Sequence, residues 1–492
     1  MSTPMNDSDE ALIGRQQALA GRIPIAFPNR IYLKYSEFLL TCATLGAASY
    51  AYLVGASLAS IGNTWVGILG YMLGLVIGTA FVAFAVGLVS YRYGVDPVDA
   101  SKLALGSRGS VLVLLGVIAT CAGWGNVLLA MTARGVLDLI PGTPSAGTPG
   151  LEWGVVIPGL LLIALIWSLL RRGAQMMERA AAIGAMIQIG VAILVGVMTI
   201  YRFGLQGTLF HNVSADKAYT TDHLLQIAYA VEFGIANGLG LFPFIGGLAR
   251  LVKRRRHVIG PAVIGYPIAG STLVACVGAL AAMATGKEEL SAMLTGVCGQ
   301  TLGTLLLAII LLTNIGTLVT QFYVVGLAVQ QMSVFARLRW PLVAAAVLLP
   351  SVLVVFSTPW ILSHVMTFMA YNAVMFVGAS SIMLVDYFVL RRQRVVVAHL
   401  FAKSGLGSYW FAGGVNWVAI VVIVLSSTMY LVIFDPVTLR VAALFRYVGA
   451  SIPTLVAGAV AYYGLMRLLV IGRGRGGYVE SNETTEAIEV GL

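Results

Sequence analysis

The chain has 492 residues, 59% of them hydrophobic and only 10% charged, with a mean hydropathy of +0.91. Soluble domains carry about 25% charged residues, so the composition argues against a soluble enzyme and for a polytopic membrane protein in a lipid bilayer. The net charge of +10 does not imply a nucleic-acid partner, because the basic residues fall in short loops between apolar runs.

The N-terminal tail, 1–30, is polar and has no cleavable signal pattern. A helix crossing a hydrocarbon core of about 30 Å needs about 20 apolar residues. That measure predicts about twelve transmembrane helices within a domain at 31–472. They lie at 37–60, 64–91, 110–138, 153–170, 179–201, 223–250, 258–284, 300–331, 340–357, 363–389, 415–434 and 446–471. The 92–109 connection has room for a short helix. The tail 473–492 is Gly-rich and acidic.

Basic loops alternate with basic-poor ones. Arg92, Lys102 and Arg108 fall on one side, followed by Arg171, Arg172 and Arg179, then Lys253 to Arg256, Arg337 and Arg339, and Arg391 to Lys403. The alternate loops carry acids such as Glu152, Asp216, Asp222, Glu288, Glu289 and Asp435. The positive-inside rule puts both termini in the cytoplasm of an inner-membrane protein.

Within the spans, the first carries Gly46, Ala47, Ala48, Ser49 and Tyr50, then Gly55. The sixth carries Gly234, Asn237, Gly238, Gly240, Pro243, Gly246 and Gly247. Gly and Pro weaken helix interiors. Unwound backbone survives in a bilayer only where protein or an aqueous cavity satisfies it. Interruptions five spans apart point to a five-plus-five inverted repeat with its site at the breaks. On this reading 37–201 is the first repeat, 223–389 the inverted second, and 415–471 two extra helices. Close helix packing through glycine is the competing reading.

Glu232 is the one acid well inside a strongly apolar span. Its burial calls for a substrate, a proton or a structural partner such as a helix end. Trp124 lies mid-span, away from the interfacial belts, with Asn126 close by. Tyr50, Tyr52, Phe233 and Phe242 flank the breaks and offer stacking faces. In the eighth span Asn314, Thr317 and Gln321 share one helical face, flanked by Thr313 and Thr320. Their oxygens suit a small cation, and their amides can bond a heterocycle edge or a neighbouring helix.

The cysteines, Cys42, Cys121, Cys276 and Cys298, show no CxxC spacing and read as free thiols, with no zinc site or other metal centre. The five histidines are scattered, with no HExxH, so no catalytic constellation is legible and the chain does not read as an enzyme.

Six motifs in order resemble the nucleobase–cation symporter family, type one. Ala104–Ser110 (ALGSRGS) is similar to the family's FG-x-(R/K)-GS, with Leu105 where Phe is usual. Gly123–Asn126 (GWGN) is similar to GWFG. Leu248–Arg256 (LARLVKRRR) follows Gly246 and Gly247, where Pro-Asp is usual. Phe322–Leu327 (FYVVGL), Val385–Arg392 (VDYFVLRR) and Gly413–Ala419 (GGVNWVA) complete the set. The resemblance implies an all-α inverted-repeat fold with helices 1 and 6 broken, alternating access, and import of a cytosine-, purine-, allantoin- or hydantoin-like ring. It implies a ring sandwiched by Tyr50 and Trp124, with Asn126, Glu232, Phe233, Asn237, Asn314 and Gln321 completing the substrate site. A coupling Na+ would sit near Gly46, Ser49, Gly316 and Thr317. The Gly316–Thr317 pair stands where sodium-coupled relatives carry two threonines, which leaves a proton, through Glu232, as the other coupling ion. No further cofactor is implied. The alternative is an amino-acid or other metabolite permease of the same fold. A channel would show non-saturating uptake instead.

Overall fold

The computed structural model describes residues 24, 25, 30, 34–140, 153–171, 175–211, 218–332, 335, 337–402, 405 and 407–478, with no side chains described for 175–179. It is mostly helical. The first apolar run is α1 (Tyr35–Gly46) and α2 (Tyr50–Ala59), bent by 68° at the Ala47–Ser49 break. Then come α3 (Thr64–Tyr93), the short α4 (Pro97–Leu105), α5 (Val111–Asp138), α6 (Trp153–Leu170) and α7 (Gln175–Phe203). The sixth run is α8 (His223–Leu239) and α9 (Phe242–Ala249), bent by 46°. After it come α10 (Arg255–Thr285), α11 (Leu290–Cys298), α12 (Gln300–Gln330), α13 (Trp340–Phe356), α14 (Thr358–Ser363), α15 (Val365–Leu390), α16 (Trp417–Ile433) and α17 (Ser451–Leu469).

Among the described residues eight helices are long and apolar enough to cross a bilayer, ten if each bent pair counts as one span. α13 and α16 are shorter apolar helices. Both expected breaks are present. α4 is the short helix expected at 92–109. Asp96 accepts the Asp99 N–H and Pro97 occupies the first turn, two ordinary start signals.

Two seams of backbone contact hold the centre together. A methyl at Gly74 of α3 would lie 1.9 Å from the Val231 carbonyl oxygen of α8, and one at Gly234 would lie 2.2 Å from that of Tyr71. A methyl at Gly55 of α2 would lie 1.9 Å from the Ala275 oxygen of α10, and one at Gly278 would lie 2.2 Å from that of Tyr52. Only glycine permits such an approach, and in lipid close packing is a main source of helix association. Each seam joins an unbroken span to one half of a bent pair.

Three of the sequence motifs meet at one corner. Asn416 donates to the Ala104 carbonyl at 2.7 Å, and Arg108 N–H to Gly414 O at 2.8 Å. Arg391 pairs with Asp386 at 2.7 Å and reaches Leu103 O at 2.9 Å. The guanidinium lies over the Tyr409 and Tyr478 rings, and Tyr478 also donates to Asp386. These motifs therefore tie α4, α15, α16 and the 474–478 segment into a buried polar knot. They build the scaffold and stand apart from the cavity.

Candidate substrate cavity

A cavity of about 420 Å³ lies against both breaks. α1 contributes Thr41, Thr44 and Leu45, and the start of α2 contributes Tyr50. Trp124 comes from α5, and Asn237 with Gly240 from the end of α8. Phe244 and Leu248 come from α9, and Tyr266 from α10. Thr317, Thr320 and Gln321 come from α12. Among the described lining residues none is charged. Leu40 and Leu251 carry the cavity toward the face that bears the start of α1 and the end of α9.

The first break places Tyr50. Its hydroxyl donates to Leu45 O at 3.1 Å, satisfying a carbonyl that the bend frees. The Tyr50 and Trp124 rings lie 4.6 Å apart at 34°, and Phe368 meets Trp124 edge-on at 5.2 Å. Rings that close touch each other, so the expected slot between Tyr50 and Trp124 is shut. The pair instead makes one aromatic wall.

At the second break, Asn237 is only 2% exposed. It donates to the Tyr71 hydroxyl at 2.5 Å and accepts from the Tyr266 hydroxyl at 3.2 Å. Tyr71 in turn bonds Ser271 at 3.0 Å. This chain holds the Asn237 amide plane against the cavity. Gln321 differs. It is 7% exposed, and its side-chain oxygen is buried without a hydrogen-bond partner. An orphaned amide oxygen in such a wall costs about 1–3 kcal/mol until a donor arrives.

Not every predicted residue reaches the cavity. Asn314 is fully buried and consumed by protein. It donates to Ser49 at 2.8 Å and Thr132 at 3.0 Å, and accepts from Gln188 at 2.9 Å. Its helical face is the predicted one, but α7 lies over it one turn before Thr317. Glu232 also turns away. It accepts from Ala450 N–H at 2.8 Å, Ser451 N–H at 3.1 Å and the Ser451 hydroxyl at 2.5 Å. Its carboxylate sits at the N-terminus of α17, where the helix dipole favours a negative charge. Phe233 packs with Tyr229 and Phe434, one turn before Asn237. Asn126, two residues from Trp124, is rotated to another side of α5 and is absent from the lining.

Of the expected cation ligands, Thr317 lines the cavity. The Ser49 hydroxyl already accepts from Asn314, and Gly316 O accepts from Thr320 at 3.0 Å. A methyl at Gly316 would lie 3.1 Å from the Ala181 backbone, so α7 fills the place of a second hydroxyl. Tyr266, Thr44 and Phe244 were missed by sequence reasoning, since an aromatic or hydroxyl residue in an apolar run carries no signal of which neighbour it faces.

A family model described as permease for cytosine/purines, uracil, thiamine, allantoin matches residues 39–450. No curated protein matches the chain. Among solved structures, Mhp1 in an inward-facing conformation superposes with a TM-score of 0.73 at 14% identity, over 95% of each chain. Mhp1 in a closed conformation with bromovinylhydantoin bound, described as a nucleobase-cation-symport-1 family transporter, gives 0.69 at 16% identity. That match covers 94% of this chain and 97% of the other. A Na+-coupled sialic acid symporter in a substrate-bound outward-open state gives 0.56 at 13% identity, over 92% and 94%. At these identities the likeness is one of fold.

Proposed function

Because the chain belongs to the family of permeases for cytosine/purines, uracil, thiamine and allantoin, we propose that it is a secondary symporter that imports an uncharged, flat heterocycle by alternating access. The observation that carries the reading is the cavity's chemistry. An aromatic wall faces an amide with an unmatched acceptor, in a lining without a charged side chain. A neutral ring with an N–H on its edge supplies the missing donor and stacks on Tyr50 and Trp124. A thiamine cation or a sialic acid carboxylate would find no counter-charge there. The same argument ranks the amino-acid permease second.

In this reading Gln321 and Asn237 bond the ring edge. Asn314 and Glu232 hold the helices, and Asn126 and Phe233 support the wall from behind. Repeats at 37–201 and 223–389 exchange access by rocking, and the matched glycine seams of the two bent spans support that symmetry. The termini face the cytoplasm. The crowded surroundings of Gly316 thin the sodium ligand set, which favours a proton as the coupling ion.

The test is uptake of labelled cytosine, uracil, adenine, hypoxanthine and allantoin into vesicles, with sodium and pH gradients imposed separately. Saturable uptake of one neutral ring, stimulated by an acid-outside gradient, is expected. Uptake of none of them removes the substrate class.

A further inference from the structure

Asp96 stands at a junction that the cavity does not use. It is 6% exposed, in the turn between α3 and α4. One carboxylate oxygen accepts the Asp99 N–H at 2.8 Å, and the other accepts from the Gln331 amide at 2.9 Å. No basic group of the described residues lies within ion-pair distance of it. This sets it apart from the other buried and half-buried carboxylates of the helices around it. Asp99 pairs with Lys102 at 2.5 Å, Asp386 with Arg391, and Asp138 with Arg134 at 3.1 Å, while Glu232 has the end of α17.

Gln331 closes α12, the helix that carries Thr317 and Gln321. Arg250 closes α9 beside Leu248 and Leu251 of the cavity wall. One Arg250 nitrogen is buried without a partner, and its charge acts on Asp96 from beyond pairing range. The carboxylate thus lies where two walls of the cavity end.

Resting on the transporter reading but on different atoms, we propose that Asp96 is a proton-binding site whose ionised form ties α12 to the α3–α4 turn and holds the cavity open toward that face. An ionised carboxylate accepts an amide N–H roughly twice as strongly as a neutral acid does. Protonation therefore loosens the Gln331 tie and frees α12 to swing. Burial, and then repulsion from Asp99, raises the carboxyl to about 7, while the Asp99 N–H, Arg250 and Lys102 pull the other way. Other ionisable groups on elements packed against α4 are engaged elsewhere, Arg92 over the Tyr93 ring and Tyr91 under Arg30 among them. Arg391 is held by Asp386, Tyr93 donates to Gln393 O, and His399 bonds Ser408. The raised value puts the switch between about pH 6 and about pH 8, tied above that window and loose below it.

The experiment uses purified full-length protein carrying Leu251→Cys and a membrane-impermeant thiol reagent, without substrate. An identical protein with Asp96→Asn is the reference, and the chain without the new cysteine gives the background. Asn keeps one oxygen for the Asp99 N–H, so the α4 start is retained, and sets an NH2 against the Gln331 amide, so it cannot make the ionised tie at any pH. Thiol chemistry itself speeds up with pH and cancels in the ratio of the two rates. That ratio should rise about fivefold from pH 6 to pH 8, and Gln331→Leu should label slowly throughout. A ratio independent of pH, or a Gln331→Leu protein that labels like the parent at pH 8, overturns the proposal. Because no substrate is present, failure here leaves the uptake experiment untouched, and failed uptake leaves this result untouched.

Discussion

Glu232 and Gln321 are both buried polar side chains inside apolar spans, and they have opposite surroundings. Three donors converge on Glu232: two backbone N–H groups and a hydroxyl from the start of α17. Gln321 keeps an oxygen that no donor among the described residues meets. The cost of a polar group in hydrocarbon is relieved by the fold in the first case and, on the proposed function, left for a ligand in the second. Intramembrane polarity therefore marks a suspect, and the state of its hydrogen bonds separates a fastener from a receptor.

Substitutions test that contrast. The largest effect is expected from Glu232→Val. It strands the Ala450 and Ser451 N–H groups and should lower stability by about 3 kcal/mol. Thermal unfolding in detergent reads this, and the surviving protein should bind substrate normally. Weakened affinity with unchanged stability would move Glu232 into the site. Gln321→Leu should do the reverse. It removes an unmatched acceptor, so stability holds or rises slightly. Affinity for the transported ring falls about 5- to 100-fold, from the cost of about 1–3 kcal/mol of leaving the ring's buried N–H unpaired. Equilibrium binding of the labelled ring measures it.

Trp124→Phe keeps a stacking face and should weaken binding only about threefold, whereas Trp124→Ala should cost about tenfold or more. Equal losses would show that shape rather than stacking matters. Asn126→Ala should be nearly silent, within about 0.5 kcal/mol in stability and unchanged in affinity. A clear loss of affinity there would mean that α5 turns during transport.

The bends were legible because Gly and Pro at Gly46, Gly238, Gly240 and Pro243 interrupt otherwise uniform apolar runs. The cavity was legible in Tyr50, Trp124, Asn237, Thr317 and Gln321, where a polar or aromatic group sits beside a break or on a shared helical face. Asn314 shares that face, yet the residue that covers it, Gln188, lies 126 positions away. Glu232 is met by Ser451 at a separation of 219. Local periodicity holds no record of such distant partners. Asp96 drew no expectation from the sequence, since nothing nearby in the chain announces its burial or its bond to Gln331. The aromatic slot was expected open, and the stacking rule that suggested it applies equally to two rings resting on each other.

The glycine seam between α3 and α8 has a mechanical consequence. Two helices whose main chains touch at Gly74 and Gly234 are packed closely enough to be expected to move as one body. On the proposed function, a ligand held by Asn237 near one end of α8 would pull on both helices, and Asp222 with its partner Arg446 stands at the other end. Grip at the centre becomes travel at the rim.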